Sequence, residues 1–139
     1  MEHICETISL RIFTKLPDPT FIVNALNMTP TYLGIKGELL SPRNPASARR
    51  ELSCWVYSLS NFSGSLDAGI NTMLTLIEPL IPSIGCIRSH LSKIDLCCCV
   101  ASSSEQCWFS INPESLRKLG AWGIALEVDT YLVADAEEV

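Results

Sequence analysis

The chain has 139 residues, of which 47% are apolar and 18% charged, and a net charge of −5. That length suits one domain with a self-supporting core, and the composition excludes a disordered chain. Residues 1–50 carry six basic and four acidic side chains and residues 51–139 four and eleven, so nucleic-acid binding, which leaves a basic footprint, is disfavoured.

In chain order, Ile8, Leu10 and Ile12 alternate with Ser9, Arg11 and Phe13, the period of a half-buried strand. Asp18 is expected to cap a helix with Pro19 at its first position, running through Phe21, Ile22, Ala25 and Leu26 and stopped by Thr29-Pro30. Tyr32, Leu33 and Ile35 suggest a short strand, and residues 41–50 read as a mobile, mildly basic loop.

Leu52 to Leu59 is a second clear strand, with Cys54, Val56 and Ser58 on one face and Trp55, Tyr57 and Leu59 on the other. Ser65 is placed to cap a helix carrying Ile70, Leu74 and Ile77, and Pro79 kinks that helix or starts another through Ile84, Ile87 and Leu91. Ile94, Leu96, Cys98 and Val100 form the next alternating strand. Cys107, Phe109 and Ile111 are expected to return as the second arm of a hairpin. Asn112 and Pro113 open a short helix with Leu116 and Leu119 inward and Gly120 as its stop. Ile124 to Leu132 is the last strand, with Glu127, Asp129 and Tyr131 on one face.

Helices among alternating strands imply an α+β fold: a mixed, mainly antiparallel sheet with helices on one face. We expect a ferredoxin-like arrangement with an added hairpin and short helix. The whole of 1–139 reads as one domain, ordered over about 7–133. The oiliest stretch, Met73 to Ile87, is broken by Glu78, Pro79 and Pro82 and reads as too short for a bilayer. With Glu2 and Glu6 in place of a basic leader, a cytoplasmic protein with no membrane association is expected.

Three stretches together carry a resemblance. They are Asp18-Pro19 opening a helix that ends at Met28-Thr29-Pro30 before Lys36-Gly37, the strand containing Trp55, and a closing run. That run is Phe109-Ser110-Ile111-Asn112-Pro113-Glu114-Ser115-Leu116, then Leu119-Gly120, then Leu126-Glu127-Val128-Asp129-Thr130-Tyr131. Over roughly residues 7–133 the chain resembles the bacterial family catalogued as domain of unknown function 4279. The resemblance implies a small, stand-alone bacterial protein and brings no catalytic residue or ligand with it.

The seven cysteines are irregularly spaced. Successive strand residues point to opposite faces, so Cys97, Cys98 and Cys99 cannot converge on one ion. With no C-x-x-C pair and only His3 and His90 available, neither a metal nor another cofactor is expected, and the thiols read as small buried hydrophobes. No nucleophile motif, phosphate loop or dinucleotide fingerprint occurs. No catalytic residue is therefore assigned.

The pair Glu127 and Asp129, on one strand face with Tyr131 beyond, is the main candidate site. Arg11, Phe13, Trp55, Tyr57 and Trp108 share that surface in some strand orders. An acidic pair among aromatics would bind a cationic ligand, serve as acid and base, or form a partner surface. The plainer alternative is a solvated outer face with an Arg11–carboxylate pair. Arg43, Arg49 and Arg50 would grip an anion if they converged, and otherwise are simply solvated. Two functions remain open. One is a non-enzymatic interaction protein that binds a protein partner, in the manner of an immunity protein, or a second copy. The other is a small-molecule-binding domain or enzyme with a pocket between the sheet face and the 41–50 loop.

Overall fold

A computed structural model of the chain describes residues 3–60, 65–103 and 108–133, with side chains from Cys5 onward. Five strands form one sheet in the order β2-β3-β1-β4-β5: β1 His3–Thr14, β2 Tyr32–Gly34, β3 Ser53–Ser60, β4 Lys93–Ser102 and β5 Ala125–Leu132. β1 lies at the centre, antiparallel to both β3 and β4, and β2 pairs antiparallel with β3. β5 joins β4 in parallel. Parallel neighbours need a crossover, supplied here by α4 (Pro113–Ala121). The α+β class and the mixed sheet thus agree with the alternation in the sequence. The expected hairpin does not form: residues 108–112 make no strand, and Cys107 lies outside the described residues.

Register divides the sheet into two unlike faces. Ile12 pairs with Trp55 and Ile94, Leu10 with Tyr57 and Leu96, and Ile8 with Leu59 and Cys98. These residues share one face, completed by Leu126 and Val128 of β5. Against it pack Ile22 and Leu26 of α1 (Thr20–Leu26), the stripe Ile70, Met73, Leu74 and Ile77 of α2 (Leu66–Ile77), Ile84 of α3 (Ile81–Ile87) and Leu119 of α4. Each fully buried Ile or Leu side chain contributes about 1.5–3 kcal/mol, so this face is the fold's main source of stability.

The helix ends follow local chemistry. Asp18 Oδ1 accepts the Thr20 N–H at 3.0 Å, Ser65 Oγ that of Ala68 at 3.2 Å, and Asn112 Oδ1 that of Glu114 at 2.7 Å. Asn27 closes α1 in the left-handed region at φ 50°. α4 runs through Gly120, which does not stop it; Gly123, at φ 68°, makes the turn instead. Its buried face holds Leu119 and Ser115, with Leu116 outward, so the expected inward pair is corrected at one position. Ser115 Oγ donates to Asn71 Oδ1 at 3.1 Å, which fixes α4 beside α2.

Pro79 divides the helical run as expected: α2 ends at Ile77, a 3-10 turn over Glu78–Leu80 holds Pro79, and α3 follows with Pro82 in its first turn, where its missing N–H costs no bond. By length and composition the 25-residue run Leu66–His90 is long and apolar enough to cross a membrane, a test that the core helix of a soluble protein passes as well. Here its apolar stripe packs on the sheet.

Candidate functional site

Among the described residues no helix covers the second face of the sheet, and its centre is an ion-pair network. Arg11 stands opposite Asp95 in register, and the guanidinium holds both carboxylate oxygens: Nε donates to Oδ1 at 2.7 Å and Nη2 to Oδ2 at 2.9 Å. The same Nη2 donates to Glu127 Oε2 at 2.7 Å. Lys93 Nζ completes the set, 3.2 Å from Asp95 Oδ2 and 3.1 Å from Glu127 Oε2. The Phe13 ring lies 5.3 Å from the Arg11 guanidinium and 6.0 Å from the Lys93 ammonium.

Two cations and two carboxylates balance, and Asp95 is wholly buried beneath its partners although it faces away from the apolar core. Burial pushes its carboxyl upward, but the hydrogen bonds and charge of Arg11, joined by Lys93, outweigh this and hold it below the usual range. Hydrogen bonds to Glu127 and Asp95 hold the Lys93 ammonium above its ordinary value. The Asp95 carboxylate is saturated with donors and closed to solvent. As an ionised group it fixes the register of β1, β4 and β5 and is poorly placed to move protons.

The sequence-predicted residues do not all meet. Glu127, Asp129, Tyr131 and Arg11 share the open face. Arg11 pairs with Glu127, while Asp129 and Tyr131 stand exposed further along β5, in register with Cys99 and Ala101. Trp55 and Tyr57 belong to the opposite face, which corrects their grouping with the acidic pair. Trp55 is fully buried and stacks on Tyr57 with centroids 6.4 Å apart, because the bulky face of β3 turns toward the helices. Trp108 is 76% exposed and lies outside any strand.

The three loop arginines do not converge either. The Leu39–Arg49 bridge and the bonds Leu40 N–H to Ala48 O and Arg50 N–H to Glu38 O fold the loop back on itself. Arg49 Nη1 donates to Gly37 O at 2.8 Å, and Arg50 Nη2 donates to the Tyr32 hydroxyl at 2.5 Å while stacking over its ring. Arg43 is exposed. Gly34 makes room for this arrangement, since a Cβ there would stand 2.7 Å from Cys54 Sγ and 3.1 Å from Arg50 Nε. A cleft of about 430 Å³ opens beside it, lined by Tyr32, Leu33, Glu38, Leu39 and Pro42.

Among the described residues no three His, Cys, Asp or Glu side chains are grouped as metal ligands would be. Cys5, Cys54 and Cys98 are buried. Desolvation pushes the Cys5 thiol up to about 11 and that of Cys98 up to about 12, so both stay protonated at neutral pH. His90 packs edge-on against Phe21, and its carbonyl accepts the Thr14 hydroxyl at 2.7 Å. The His3 side chain lies outside the described residues. Asp95 and Lys93 were missed as site residues; the signal available was a lone acid within an otherwise apolar strand, facing Arg11 in the polar phase of β1.

A mixed five-stranded α+β sheet with one helix-covered face and one polar face is the class these features define. The chain belongs to the family described as Domain of unknown function (DUF4279), whose model matches residues 3–133. No curated protein and no solved structure matches it.

Proposed function

We propose that this chain is a non-enzymatic interaction protein that receives a protein partner on β5 and the adjoining open sheet face. One observation carries the reading: Asp129, Tyr131, Leu132 and Val133 stand exposed in succession at the edge of the sheet. An acidic residue followed by an aromatic and two aliphatics is an expensive surface to leave in water and a good one to bury against a partner. The saturated Arg11–Asp95–Glu127–Lys93 network beside it supports a binding role over an acid–base one. A small, acidic, bacterial cytoplasmic protein acting on a partner in the manner of an immunity protein accords with this surface.

The test is a photo-reactive phenylalanine analogue at Tyr131, with a control at Cys86, exposed on α3. Expression in the native host should give a discrete cross-linked species from the first position only. Equal labelling from both positions would overturn the reading.

The cleft beside β2 favours a second reading, a small-molecule site at the 38–42 segment. Its one acid, Glu38, is engaged, since Oε1 accepts the Ile35 N–H at 2.8 Å. A thermal-shift screen of metabolites that raises the melting temperature, with the rise abolished by Leu39→Trp, would establish that reading in place of the first.

A further inference from the structure

Among the described residues β5 is a sheet edge guarded by neither lysine, proline nor bulge. Natural edge strands are shielded by lysines, prolines, bulges or shortness. β5 spans eight residues, contains no Lys or Pro, and pairs with β4 in unbroken register from Ala125 to Leu132. The backbone phase follows from one bond, the Val133 N–H donating to Ser102 O at 2.8 Å. Main-chain groups alternate along a strand, so odd-numbered residues of β5 bond toward β4. The N–H and C=O groups of Val128, Thr130 and Leu132 therefore point away from the sheet, ready to pair with another strand.

Charge selects what can occupy that edge. No Lys or Arg follows Lys118, whereas Glu127, Asp129, Asp135, Glu137 and Glu138 do. A second copy would set acidic strand beside acidic strand, and like charges directly opposite are destabilising. A basic strand meets the opposite situation. Glu127 is already shared between Arg11 and Lys93, which leaves Asp129 to make the new ion pair and Tyr131 to receive a cation on its ring.

We infer that β5 accepts a basic extended segment of a partner protein as a sixth strand, with lysine or arginine alternating with β-branched apolar residues. Cations of the incoming strand would lie beside Asp129 and Tyr131 on the open face, and its apolar residues beside Val128 and Leu132 on the other. This deepens the partner-binding reading and rests on it.

The probe is a capped, fluorescein-labelled eight-residue peptide alternating lysine with valine, titrated by anisotropy with the full-length protein. Three comparisons accompany it: the peptide N-methylated at alternate residues in either phase, a glutamate–valine peptide, and the Thr130→Pro and Asp129→Lys variants. Thr130→Pro removes an outward N–H while leaving the bonds to β4 in place. Strand addition predicts saturable binding of the lysine peptide. Affinity should fall at least tenfold with one of the N-methylated phases, with Thr130→Pro and with Asp129→Lys, and the glutamate peptide should not bind.

Binding indifferent to N-methylation in both phases and to Thr130→Pro would overturn strand addition. A cross-link from position 131 would in that case still uphold a partner surface, so the two failures are distinguishable. Equal binding of the glutamate peptide, or no binding of the lysine peptide, would overturn the charge selection. Should Thr130→Pro unfold the protein, the N-methylated peptides decide the matter alone.

Discussion

Replacing Arg11 with leucine tests the network that joins β1, β4 and β5. The change leaves the wholly buried Asp95 carboxylate facing only the Lys93 ammonium, 3.2 Å away. Removing one partner of a buried ion pair costs about 3–5 kcal/mol. Arg11 is itself 31% exposed, and Lys93 remains to share the charge. Solvent screening and that second cation reduce the expected loss to about 2–3 kcal/mol, or roughly 6–12 °C in Tm. Changing Asp95 to leucine in the same chain removes the stranded charge, and the double variant should lie within about 1 kcal/mol of the parent. Urea unfolding followed by the fluorescence of Trp55, which is fully buried, reads all four corners of the cycle. The reasoning fails if Arg11→Leu costs less than about 0.5 kcal/mol, or if the double variant loses the sum of the two singles.

Acid titration checks the same group from another side. The folded Asp95 carboxyl titrates below its unfolded value, so its contribution is present above about pH 4 and lost as pH falls through the folded value. The parent should therefore lose stability more steeply below about pH 4 than Asp95→Asn, as measured by urea midpoints from pH 6 to pH 2. Gly34→Ala drives a Cβ to within 2.7 Å of Cys54 Sγ and should cost about 1–3 kcal/mol, but under about 0.5 kcal/mol in a Cys54→Ala background; equal costs in both backgrounds would refute the contact. Asn112→Ala removes the acceptor for the Glu114 N–H and should lower stability by about 1 kcal/mol in the same unfolding assay. Maleimide labelling of the native protein at pH 8, mapped by mass spectrometry, should modify exposed Cys86 rapidly and spare Cys5 and Cys98 until the chain unfolds. Native labelling of Cys98 at the rate of Cys86 would contradict their burial.

Most of the strand and helix order was legible because alternation and capping are local signals. β1, β3, β4 and β5 each announce themselves by period, and Ser65 and Asn112 by their place before an apolar or proline-led run. The face assignment of β3 was not read, although Trp55, Tyr57 and Leu59 form the oilier of its two faces and burial of apolar area should have turned them inward. Grouping them with Glu127 and Asp129 required knowing which phases share a face, which register alone decides. Register likewise brings Arg11 to Asp95, 84 residues away in the chain. Leu116 was misplaced by one helix position, since Ser115 found a buried partner in Asn71 that no local pattern encodes.

The central place of β1 has a consequence in time. Its two neighbours are Ser53–Ser60 and Lys93–Ser102, so the first strand made must wait for most of the chain before it is enclosed on both sides. At about 5–20 residues synthesised per second, β4 follows β1 off the ribosome after an interval on the order of 5–20 s. Through that interval Ile8, Leu10 and Ile12 lack a complete sheet, and the helices that cover them emerge only one after another. Pairings this distant in sequence also slow refolding of the finished chain. The polar phase of the same strand, Thr7, Ser9 and Arg11, keeps the waiting segment from being apolar on both sides. Yield of folded protein in the cell should therefore respond more sharply to apolar substitutions at Ser9 than equilibrium stability does.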